Sequence, residues 1–167
     1  LKFNGSGSSS AFGAVDDVMP NAYEESWDVT DTDGTATTGS PQVIGGGGGA
    51  NMFIYTSPSV MGATLTVAYQ NHGSEATDSY TDYAIAMSPE MVEGLTVGFA
   101  VSDNEVAAGG KNANKTTGYV KYAVGGLTVG YQMSEEDHDT KASSKDSSAW
   151  GVTYAVNDDI SIGYHSH

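Results

Sequence analysis

Cysteine is absent from this sequence, and so is arginine. Without Cys there is no disulfide framework, no thiolate nucleophile and no Cys-ligated metal. Without Arg, and with only 6 Lys against 21 Asp plus Glu, there are no clustered cations to displace counterions from phosphates, which excludes a nucleic-acid partner. Leu is scarce, whereas Gly fills 22 of 167 positions and Tyr fills 10, a composition that suits many short strands better than a helical bundle. Also missing is any run of roughly 20 consecutive apolar residues, so no helix spans a membrane. Transmembrane strands stay open, because their alternating signal is much weaker per segment. The chain opens at Leu1-Lys2-Phe3 with neither an initiator Met nor a signal peptide, as a piece of a longer protein would.

What is present is alternation. Residues 1–50 show no sustained period, carry the seven carboxylates Asp16, Asp17, Glu24, Glu25, Asp28, Asp31 and Asp33, and end in the run Gly45 to Gly49. From residue 51 onward, period-two segments predict strands near 51–57, 63–71, 79–87, 95–102, 116–124, 127–134, 147–156 and 160–166. Leu95, Val97, Phe99 and Val101 fall on one face, with Thr96, Gly98, Ala100 and Ser102 on the other. Leu127, Val129, Tyr131 and Met133 likewise oppose Thr128, Gly130, Gln132 and Ser134. Gly-Leu-Thr-Val-Gly begins at both Gly94 and Gly126, 32 positions apart, the mark of a repeating hairpin unit. The first segment leaves its facing open, because Met52, Phe53, Ile54 and Tyr55 are all apolar.

The connections alternate between short and long. Residues 58–62, 88–94, 125–126 and 157–159 are compact and built on Pro, Gly, Asn and Asp; residues 71–78, 103–115 and 135–146 are longer and polar. That regularity is the rule in an outer-membrane barrel, whose periplasmic turns stay short. Charge agrees with it. Only Asp82 and Lys121 fall well inside a predicted strand, and both land on the polar face, sparing about 2–4 kcal/mol for a Lys on the lipid side. The small, polar half of each strand (Thr, Ser, Gly, Ala, Gln) cannot pack an interior, so it predicts a water-filled lumen. Closure would then satisfy every backbone group and remove unpaired edges. Tyr69, Tyr80, Tyr131, Trp150 and Tyr164, near strand ends, fit interfacial girdles.

Ala14-Val-Asp-Asp-Val-Met-Pro-Asn-Ala-Tyr-Glu-Glu-Ser-Trp27 is the most distinctive segment. Asp16 or Asp17 is placed to cap a short helix over Ala22 to Trp27, with Pro20 in the first turn. A stretch this long without sheet pairing implies function. Together with Ile54-Tyr-Thr-Ser-Pro58 and the repeated Gly-Leu-Thr-Val-Gly strands, the acidic segment resembles the trimeric general-diffusion porins of Gram-negative outer membranes, particularly those of alphaproteobacteria. The resemblance spans essentially the whole chain. It implies an all-β antiparallel transmembrane barrel, with about eight strands of a sixteen-stranded wall in residues 51–167. Residues 1–50 become the external loop that folds inward and narrows the pore. Asp16, Asp17, Glu24, Glu25 and Asp28 would then form an acidic constriction, and Asp82, Lys121 and Gln132 would line the wall. The implied partners are outer-membrane lipid and lipopolysaccharide, two further copies in a homotrimer, and small hydrophilic solutes. With Lys121 as the inward base, the lumen is expected to be negative and to favour cations modestly.

Other chemistries fit less well. His72 and His138 fall in polar loops and His165 and His167 at the chain end, with no spacing that suggests a triad, so no enzyme is expected. Asp28, Asp31 and Asp33 before Gly34 could collect Ca²⁺, but they lack the acid register of a calcium loop. The five-glycine run has no Lys-Ser/Thr of a phosphate loop. Two rival architectures remain: a complete eight-stranded barrel, in which 51–57 pairs with 160–166, and a soluble secreted β-sandwich or adhesin module.

Overall fold

The computed structural model describes residues 1–5, 8–21, 44–45, 48–49, 51–71, 79–104, 113–139 and 144–166. All eight predicted strands are present: β4 (Met52–Thr56), β5 (Ala63–Gln70), β6 (Tyr80–Met87), β7 (Leu95–Asn104), β8 (Ala113–Val124), β9 (Leu127–His138), β10 (Lys145–Asn157) and β11 (Ile160–Ser166). A short strand that alternation could not reveal, β1 (Lys2–Asn4), precedes them. The nine form one antiparallel sheet in the order β1-β4-β5-β6-β7-β8-β9-β10-β11. β2 (Ser8–Ser9) and β3 (Gly48–Gly49) pair only with each other. A 3₁₀ turn covers Phe12–Ala14.

β1 is three residues long and is held by its pairing. Phe3 lies opposite Phe53 in register, with ring centroids 4.8 Å apart. Because β1 occupies one edge of β4 and β5 the other, β4 does not pair with β11, and the eight-stranded closure is excluded. The register also settles the facing of β4: Phe53 and Tyr55 point outward, and Met52 and Ile54 inward.

The hairpin turns use the glycines of the repeat. Gly94 and Gly126 each accept a hydrogen bond on their carbonyl from a neighbouring strand, from Ala123 N at 2.9 Å and Ala155 N at 2.8 Å. A Cβ on Gly94 would stand 1.9 Å from the Ala123 carbonyl oxygen, so no other residue fits there. The recurring pentapeptide is therefore a recurring strand entry.

Four strands run longer than alternation predicted. β7 continues to Asn104, β8 starts at Ala113, β9 continues to His138 and β10 begins at Lys145. Their extensions are polar on both faces, so no apolar period marks them. His138 accordingly lies in a strand and not in a loop, with Nε2 3.1 Å from Glu136 Oε1. Elsewhere the apolar half of each strand stays exposed. Leu65, Ile85, Phe99, Tyr131, Met133 and Ile162 are all on the outer face, and among the described residues no second sheet covers it. This excludes a sandwich, in which those side chains would meet across two sheets.

Candidate functional site

The inner face is not bare. Residues 10–20 run across it as a strap, fastened by side chains from three strands. Asp82 on β6 is fully buried, at 0 % exposure. Its carboxylate accepts hydrogen bonds from Ala11 N at 3.2 Å, Phe12 N at 2.8 Å and the Tyr80 hydroxyl at 2.8 Å. With the Tyr80 proton committed to Asp82, the Ser10 hydroxyl donates to the Tyr80 oxygen at 3.3 Å, and Ser10 accepts from Gly13 N at 3.1 Å.

A second fastening lies on β8 and β9. The Gln132 side-chain amide donates toward Asp16 O at 2.8 Å, Val15 O at 3.1 Å and Thr117 Oγ1 at 2.9 Å. Thr117 in turn shares a hydrogen bond of 2.7 Å with the Ser134 hydroxyl. Two lysines add to it. Lys121 Nζ donates to Val18 O at 3.4 Å, and Lys115 Nζ donates to Gly45 O at 2.7 Å.

Packing fits the strap to the wall. Phe12 is wholly buried among Ala11, Val15, Met52, Ala68, Ala84 and Ala100, with Ile54 and Tyr119 at the margin. The small inward residues are thus a seat for one aromatic ring. At the strap's far end, Pro20 and Met19 lie on Gly130 and Gly151: a Cβ on Gly130 would come within 2.6 Å of Pro20 Cδ, and one on Gly151 within 2.5 Å of the Pro20 carbonyl oxygen.

The wall residues named from sequence all face inward, but they do different work from that expected. Asp82 and Gln132 do not border open water; they are buried beneath the strap and hold it. The reason is that backbone N–H and C=O groups of residues 11–16 take the place of lumen water. Lys121 is half-buried and also contacts the strap. Nor is Lys121 the sole inward base on a strand. Register places Lys2, Lys115 and Lys145 on the same inner face, with Glu136 between Lys115 and Lys145. Their strands extend beyond the apolar alternation, which is why sequence reasoning missed them.

Of the expected constriction acids, Asp16 is half-buried and Asp17 exposed on the strap. Glu24, Glu25 and Asp28, the predicted helix at 22–27 and the calcium candidates Asp28, Asp31 and Asp33 lie outside the described residues. Among the described residues, no three His, Asp or Glu side chains converge as a metal site.

A sheet greasy outside and polar inside, with a strap on its inner face, is barrel-wall architecture. The family model for Gram-negative porins matches residues 5–166. The chain belongs to the Gram-negative porin family. No curated protein and no solved structure matches it. The porin resides in the outer membrane, and its sheet is a stretch of channel wall. Its outer residues face lipid, and the strap stands on the side where solute passes.

Proposed function

We propose that the acidic strap segment is the constriction of this channel, which passes small hydrophilic solutes and ions passively and prefers cations modestly. No bond is made or broken; selection rests on size and on electrostatic bias. One observation supports the reading: residues 10–20, which carry Asp16 and Asp17, are fastened to the inner wall at both Asp82 and Gln132. Within residues 1–50 seven carboxylates face a single Lys, and rings of Asp or Glu favour cations. Lys121 spends its ammonium group on the strap carbonyl of Val18, and Lys115 on the carbonyl of Gly45, which reduces their effect on passing ions. Asp16, Asp17, Glu24, Glu25 and Asp28 supply the negative potential in this reading. Assembly as a homotrimer within lipopolysaccharide belongs to the same reading, supported by family membership.

The test is a reversal potential across a planar bilayer holding a salt gradient. The porin is expected to be cation-selective, and the double variant Glu24→Gln with Glu25→Gln to be less so. An anion-selective porin, or a double variant with unaltered potential and conductance, would overturn the assignment.

A further inference from the structure

Gly130 on β9 and Gly151 on β10 stand directly opposite each other on the inner face, in the interior of both strands. Neither backbone needs glycine. Their φ angles lie outside the left-handed region, unlike those of the turn residues Gly94 and Gly125. The rows on either side, Gln132 with Ala149 and Thr128 with Thr153, carry side chains on this face. A strand-interior glycine has no side chain to pack and weakens its strand, so two in one row mark a place where another backbone comes close.

That backbone is the strap. Met19 and Pro20 are buried against the glycine pair. A Cβ on Gly130 would meet Met19 Cε and Sδ at 3.2 Å besides Pro20 Cδ at 2.6 Å. One on Gly151 would meet Pro20 Cγ and Cδ at 3.3 Å besides the carbonyl oxygen at 2.5 Å. Lys121, opposite Gly130 in the same row, draws in the Val18 carbonyl. Strap residues 18–20 thus sit in a notch, deeper in the wall than a strand face with side chains would allow. Carbon atoms in contact stand about 3.5–4.0 Å apart, so one methyl at either position would push the strap about 1 Å toward the lumen.

We propose, on the reading of the strap as the constriction, that Gly130 and Gly151 set the channel's width, and so the largest solute admitted, by fixing how far the strap recedes. The two act differently. The atoms nearest a Gly130 Cβ belong to side chains, the Pro20 ring and the flexible Met19 thioether. The atom nearest a Gly151 Cβ is a backbone oxygen, which no rotamer change removes.

The test is single-channel conductance of the intact porin in planar bilayers, with liposome swelling in sugars of increasing size. Unfolded chains form no channels, so every conductance read comes from an inserted barrel. From wild type to Gly151→Ala to Gly151→Val, conductance is expected to fall stepwise and the exclusion limit to move to smaller sugars. Gly130→Ala should also lose conductance, and should regain it beside Pro20→Ala when compared with Pro20→Ala alone; Gly151→Ala should not. Gly118→Ala is the control, a strand glycine on the outer face whose Cβ would meet Phe99 at an ordinary 3.5 Å, and its conductance should match wild type. Unchanged or increased conductance in the Gly151 series, or an equal loss in Gly118→Ala, would overturn the inference. If Glu24→Gln with Glu25→Gln shifts the reversal potential while the glycine variants leave conductance alone, only the notch is lost. If neither responds, the constriction is lost with it.

Discussion

Asp82 is the one charged side chain buried among the described residues. Removing a carboxylate from water costs several kcal/mol unless hydrogen bonds replace the lost solvation. Two backbone N–H groups and one phenol do so, and two of those donors belong to the strap. Asp82→Asn keeps the shape but presents an N–H where an acceptor is needed, so at least one strap N–H loses its partner. The expected cost is about 1–3 kcal/mol, concentrated in strap attachment. It is read as noisier, larger single-channel currents with little change in the melting temperature of the barrel. Quiet wild-type currents from this variant would remove Asp82 from the fastening role. Alternation alone showed that this side chain faces inward. Its task was not legible, because the donors are backbone atoms some 70 positions earlier, and a backbone N–H has no sequence signature.

The elements divide by what holds them. Strands β4 to β11 are written in period-two apolar patterning and could be placed from it to within a few residues. The exceptions are the polar ends of β7, β8, β9 and β10 next to the long connections, where no apolar period runs and pairing keeps the backbone extended. The strap is different again: it has almost no regular structure and takes its path from the wall beneath it. Phe12 is its apolar anchor, seated on Ala68, Ala84 and Ala100. Those alanines were read as lumen lining, since nothing in their spacing announces a ring arriving from another segment. Phe12→Ala should remove about 3–5 kcal/mol of packing from the strap. The hydrogen-bonded sheet does not depend on that ring, so the barrel should persist while the constriction loosens. Conductance is therefore expected to rise, and exclusion of larger neutral sugars in liposome swelling to relax. Unchanged exclusion would show that the strap does not set the pore width.

For the whole molecule, the governing fact is that a soluble protein's layering is reversed. Apolar side chains cover the outside of the sheet, and the only described core lies inside it, beneath the strap. This inversion can be tested on two adjacent residues of β9. Val129 points outward and Thr128 inward, one position apart on the same strand near the middle of the apolar span. A Lys at Val129 would place an ammonium in hydrocarbon, at a cost of about 2–4 kcal/mol at the bilayer midplane. A Lys at Thr128 would reach lumen water on the face that already carries Lys121 and Lys145, and should cost little. Denaturant titration of the porin folded into phosphatidylcholine bilayers measures both. Aggregation contributes nothing to the comparison, because the two variants have the same net charge and differ only in the side of the sheet that carries it. A soluble sheet would rank them the other way, since there the exposed Val129 position would accept Lys freely. Equal destabilisation, or the greater loss at Thr128, would mean that the outer face of this wall does not contact lipid.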